Sequence, residues 1–118
     1  MTPEQQRKIL EAAAKACGIT LEREISGKKP HRLIEHESGE GRISVPWNPL
    51  TNSADTASMC AKLEINTFWW KTSVECYREI KAAGVSESHD GTDASKEAAQ
   101  RLAATMVAAK AGGYTDDI

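Results

Sequence analysis

Apolar residues Ile9, Leu10, Ala13, Ala14 and Cys17 recur at steps of one, three and four, the spacing that lines one face of a helix. Thr2-Pro3-Glu4-Gln5 supplies the start signal, a capping hydroxyl with proline at the first helical position and a glutamine three residues after the cap, and Gly18 supplies the stop. The period then shortens to two. Ile19, Leu21 and Ile25 fall on one face of an extended segment, with Thr20, Glu22 and Glu24 on the other, before a turn at Ser26-Gly27-Lys28. Residues 31–36 and 42–47, the latter with Ile43, Val45 and Trp47 in alternation, flank a polar loop containing Gly39 and Gly41, so a meander of three strands is expected.

Asn48-Pro49 interrupts that meander, because the residue before proline is driven out of the helical region. Asn52 or Ser53 can then cap a helix reaching about Glu64, packed through Ala57, Cys60 and Ala61. Between residues 66 and 79 the alternation of Phe68/Trp70 and Val74/Cys76 indicates strands, although Val74, Tyr77 and Ile80 also fit a helical face and leave residues 72–83 open. Residues 84–90 read as a short strand. Thr92, Asp93 or Ser95 then caps a helix whose stripe is Ala98, Leu102, Met106 and Ala109, ended by Gly112-Gly113. The expected architecture is one α+β domain over residues 1–118: a mostly antiparallel sheet of about four to six strands packed with three helices, since short connections forbid parallel crossovers.

The stretch Trp47-Asn48-Pro49-Leu50-Thr51-Asn52-Ser53-Ala54-Asp55, followed by a helix, aromatic strands and an alanine-rich C-terminal helix, resembles small bacteriophage proteins of the ABA-sandwich type. The resemblance spans residues 18–113. It implies a phage or prophage origin and an α/β sandwich, and it carries no catalytic residues.

Composition narrows the function classes. Fifteen Lys+Arg against 17 Asp+Glu give a net charge of −2, so no positive field attracts a phosphate backbone and nucleic-acid binding is disfavoured. No apolar run approaches the length of a membrane span, and the N-terminus lacks a basic segment followed by an apolar one, so a soluble, cytoplasmic protein of the bacterial host cell is expected. Cys17, Cys60 and Cys76 are odd in number and widely spaced, which reads as reduced, buried thiols.

Candidate chemistry is sparse. His31 and His36 stand five apart, on opposite faces of a strand, and do not make a metal pair. His89-Asp90-Gly91-Thr92-Asp93 precedes a helix and offers either an anion site with a switchable charge on His89 or, more simply, a turn and cap. Gly39 and Gly41 do not form a phosphate loop, and no serine sits in a nucleophile elbow. Neither a catalytic residue, a metal nor a cofactor is expected.

Three tryptophans beside one phenylalanine and two tyrosines are the most promising feature. Trp69 and Trp70 point to opposite sides of a strand, and an exposed one can anchor an interface, with Arg32, Arg42, Lys71 and Arg78 on neighbouring segments. The blander alternative makes Trp47 and Trp70 core and covers Trp69 with a helix. The expectation is therefore a non-enzymatic accessory protein that binds through Trp69, Trp70, Arg32, Arg78 and His89. Its partner would be a host protein, in a counter-defence role, or a small nucleotide-like ligand, and a homodimer is compatible with an open sheet edge. The alternatives are a small phosphoester-processing enzyme built on His89 and its acidic neighbours, and a single-stranded nucleic-acid module stacking bases on Trp69 and Trp70.

Overall fold

Thr2 accepts from the Gln5 backbone while the Gln5 side chain accepts from Thr2, and this reciprocal cap opens α1, Pro3–Cys17, in the computed structural model of the protein. The structure describes residues 2–23, 30–35, 42–78 and 84–115. Ile9, Leu10, Ala13, Ala14 and Cys17 are the buried face of α1, and Gly18 closes it in the left-handed conformation (φ 72°). The elements that follow are β1 (Leu21–Arg23), β2 (Pro30–Glu35), β3 (Arg42–Pro46), α2 (Ser53–Leu63), β4 (Asn66–Trp69), β5 (Ser73–Tyr77), β6 (Val85–Ser88) and α3 (Asp93–Ala111).

The class is α+β with antiparallel pairing throughout, but the strands do not form one sheet of four to six. Among the described residues they fall into two three-stranded meanders, β1-β2-β3 and β4-β5-β6. Alternation along a chain cannot distinguish these arrangements, because it fixes which residues share a face and not which strand lies alongside. Ile25, His36, Gly39, Gly41 and Ile80 lie outside the described residues.

Helix α3 is the hub. It packs on α1 and α2 and across β5 and β6, burying Ala99, Ala103, Ala104, Thr105, Val107, Ala108 and Ala109. This corrects the expected stripe: Ala98 is exposed, and Leu102 and Met106 are only partly buried. A helix gripped from several sides buries more than one stripe, and small side chains are what let its neighbours approach. The packing face of α2 is Thr56, Met59 and Leu63, with Cys60 partly buried against the core as expected, whereas Ala57 and Ala61 are exposed. Thr56 is tolerated in the interior because its hydroxyl donates to Pro49 O at 2.6 Å, and Asn52 O lies 3.1 Å from the same oxygen.

Where α1 meets the end of α3, a Cβ on Gly112 would overlap the carbonyl oxygen of Ala12. Backbone cannot yield as a flexible side chain does, so Gly112→Ala is expected to destabilise the fold by about 1–3 kcal/mol, read from the urea midpoint. The backbone at Gly112 is otherwise ordinary (φ −86°), so the loss would report on helix–helix approach alone.

The stretch from Trp47 to Asp55 is a structural knot. Trp47 is 1 % exposed. Next to it, Asn48 accepts from Leu50 N–H through its side chain and from Thr51 and Asn52 N–H through its carbonyl. Asp55 reaches back to the Asn48 N–H at 2.9 Å, and Asn52 caps α2 through the Asp55 N–H. Arg101 of α3 ties the knot to the hub by donating to Leu50 O and Ser53 Oγ, both at 3.1 Å.

Candidate functional site

In the β4-β5-β6 sheet, Thr67 pairs with Cys76 and Trp69 with Val74, and Cys76 and Val74 are fully buried beneath α3. Residues opposite one another in an antiparallel ladder share a face. The other face therefore carries Asn66, Phe68, Ser73, Glu75, Tyr77, Ser86 and Ser88, and none of these is buried. Strand β4 is an outer strand of this sheet.

Three large apolar side chains stand out of that edge: Phe68 is 48 % exposed, Trp69 45 % and Trp70 57 %. The alternative in which Trp70 is core is overturned; Trp47 alone of the tryptophans is interior. The rings of Phe68 and Trp70 pack at 4.8 Å between centroids and a tilt of 51°, an arrangement that holds them as one aromatic surface. Trp69 turns to the helix side and meets the ring of His89 edge-on at 6.1 Å.

His89 is a strut for this hairpin. It is 7 % exposed, its Nε2 lies 3.2 Å from Trp70 O, and the Gly91 N–H donates to its Nδ1 at 3.1 Å. With Nδ1 accepting, Nε2 carries the proton and donates to Trp70 O. Its backbone N–H also donates to Thr72 O inside the turn. Both ring nitrogens are thus engaged by backbone. His89→Ala would remove the bond to Trp70 O and empty a nearly enclosed site, so a loss of about 1–3 kcal/mol is expected, with Trp69 and Trp70 fluorescence shifting as the hairpin loosens.

The following residues form a turn and cap. Asp90 accepts from the Thr92 N–H at 2.9 Å and the Thr92 hydroxyl at 2.6 Å, while Thr92 caps α3 through the Ser95 N–H. These bonds hold the Asp90 carboxyl below its usual pKa. A depressed folded-state pKa gives stability that is present above the unfolded value and lost as pH falls through the folded one. Asp90→Asn should therefore be less stable than wild type at neutral pH, with the gap closing below about pH 4, as followed by thermal unfolding across pH.

The basic residues stand on elements other than β4. Arg78 follows the end of β5 that pairs with Asn66, the far end of the strand from Trp69, and its Nε donates to Leu63 O at the end of α2. Arg32 pairs with Leu21 and Val45 in the other sheet, and Arg42 with Glu35. Lys71 is in the β4–β5 turn. Of the five residues expected to form the site, the fold brings together Trp69, Trp70 and His89, adds Phe68, and leaves Arg32 and Arg78 elsewhere. Phe68 was legible, since strand alternation puts it on the same face as Trp70.

Two other features lie among the described residues. A cavity of about 110 Å³ lies between α2, α3 and β4, bordered by Thr56, Cys60, Thr67, Gln100 and Arg101, with Gln100 donating to Thr67 Oγ1. The cysteines are free, and burial raises the pKa of all three thiols, that of Cys60 to about 11. No group of His, Cys, Asp and Glu among the described residues is arranged to hold a metal, and no helix there is long and apolar enough to cross a membrane. Comparison with protein families, curated proteins and solved structures finds no match to this chain.

Proposed function

We propose that this chain is a non-enzymatic binding protein whose docking surface is the aromatic hairpin of β4 and β5. The observation that carries the reading is the adjacency of Phe68, Trp69 and Trp70, each about half exposed on a strand that ends its sheet. Leaving such rings in water is unfavourable, and aromatic side chains are enriched where proteins bind one another. His89 supports the same reading by holding the hairpin carbonyl from below, so that the surface is formed in advance of its partner.

A protein partner fits better than a nucleotide or a nucleic-acid strand. Among the described residues, the cavity of about 110 Å³ is below the ~300–1,000 Å³ of ligand sites. Base stacking needs a basic groove, whereas among the described residues Glu75 and Glu87 lie in the adjoining strands and Lys71 is the hairpin's own cation. In the phage setting suggested by the sequence resemblance, the role is that of an accessory protein binding a host component, with counter-defence as its most specific form. Affinity capture from bacterial lysate tests this with wild type beside Trp69→Ala and Trp70→Ala. A protein retained by wild type and lost from both variants supports the reading; equal recovery in all three would sink it.

A further inference from the structure

We infer that the β4 edge pairs with the β4 edge of a second copy of this chain, and that the docking surface is complete only in the resulting two-fold dimer. This rests on reading the aromatic hairpin as a docking surface. The Trp70 N–H donates to Ser73 O, which makes Trp70 and Ser73 the hydrogen-bonded pair next to the turn. Hydrogen-bonded and non-bonded pairs alternate along an antiparallel ladder, so Phe68 and Asn66 also bond towards β5, while Thr67 and Trp69 direct their backbone N–H and C=O groups to the open side. Two outward residues separated by one are self-complementary. Rotated by a two-fold axis through Phe68, Thr67 of one copy faces Trp69 of the other, Phe68 faces Phe68, and Asn66 faces Trp70.

Charge and chain geometry fit that register. Asn66-Thr67-Phe68-Trp69 contains no charge, proline or glycine, the devices that ordinarily keep an edge strand from pairing. At either end Lys71 of one copy comes opposite Ile65 of the other, next to Glu64, so opposite charges approach and no like charges are juxtaposed. The two three-stranded sheets become a continuous sheet of six. Its uncovered face then carries an unbroken row, Trp70, Phe68, Phe68 and Trp70.

Area explains why one copy is insufficient. Aromatic side chains bury ~150–250 Å² each, so three that are half exposed offer about 300 Å², against the ~800 Å² per partner of a stable interface. Pairing doubles the aromatic row and covers the open backbone groups that would otherwise border it.

Light scattering on size-exclusion fractions, over a dilution series from about 100 to 1 µM, reads the dimer directly, the range suiting a small interface. Wild type should be dimeric at the upper end, and Phe68→Lys and Phe68→Glu should each weaken the dimer by about tenfold or more, because like charges would oppose each other on the axis. An equimolar mixture of the two should recover a heterodimer. Thr67→Pro should also be monomeric, since it removes an N–H that points only to the open edge, while Thr67→Val remains dimeric. Independently of these variants, Phe68→Cys should oxidise to a crosslinked dimer across the axis, where non-bonded pairs bring Cα atoms to about 4.5 Å, and Glu75→Cys should not. A wild type that is monomeric throughout, or a dimer indifferent to Phe68→Lys and Thr67→Pro, overturns the inference. A monomer that still captures a partner through Trp69 and Trp70 overturns it while leaving the docking reading intact.

Discussion

Trp47→Ala is expected to lower the unfolding free energy by about 3–5 kcal/mol, the range for emptying a buried tryptophan site. Trp47 is fully enclosed and belongs to the cluster that includes Ile9, Leu10, Met59, Leu63 and Ala104, so its removal opens a void shared by α1, α2 and α3. The surroundings cannot readily collapse into it. Asn48, beside it, is held by hydrogen bonds to Leu50, Thr51, Asn52 and Asp55, and the Pro49 carbonyl is occupied by Thr56. Against a total stability of about 5–15 kcal/mol for an ordinary domain, the loss is between about a fifth of the total and all of it. Urea unfolding followed by far-UV circular dichroism measures the loss. A change of less than about 1 kcal/mol would show that Trp47 is not the anchor of the knot.

Trp70→Ala should give the opposite pattern, little change in stability and a large change in binding. Its side chain is more than half exposed, so truncation removes chiefly the contact with Phe68, worth about 0.5–1.5 kcal/mol. Aromatic anchors at the centre of an interface cost about 2 kcal/mol or more when truncated, so affinity for the captured partner should fall by roughly thirtyfold. Titration calorimetry with that partner, alongside a thermal melt, separates the two quantities. Loss of binding together with loss of fold would instead identify Trp70 as a structural residue. The contrast between two tryptophans of one chain is the sharpest consequence of where each lies.

The two tryptophans also show how far the candidate site can be read without a fold. Alternation placed Trp69 and Trp70 on opposite faces and Phe68 with Trp70, as the β4–β5 register has them. It could not say which face α3 would cover, and so it allowed Trp70 to be core. His89 was visible as a residue before a helix cap, but its bond to Trp70 O joins positions 19 apart in sequence, and no local pattern reports such a distance. Arg78 and Arg32 were grouped with the aromatics as lying on neighbouring segments. The fold sends Arg78 to the end of α2 and Arg32 into the other sheet.

The amino-acid sequence by itself determined what depends on neighbouring residues: the reciprocal cap and buried face of α1, a cap for α2 at Asn52 or Ser53 and for α3 among Thr92, Asp93 and Ser95, and the antiparallel class. These follow from backbone hydrogen bonding and side-chain periodicity over a few residues, which act wherever the segment lies. Tertiary structure alone decided that the strands divide into two sheets, that α3 buries Ala99, Ala103 and Ala108 rather than Ala98, Leu102 and Met106, and that Trp47 is enclosed while Trp70 meets water. Those outcomes depend on which surfaces meet, and burial is a property of the pair of surfaces rather than of either strand or helix alone.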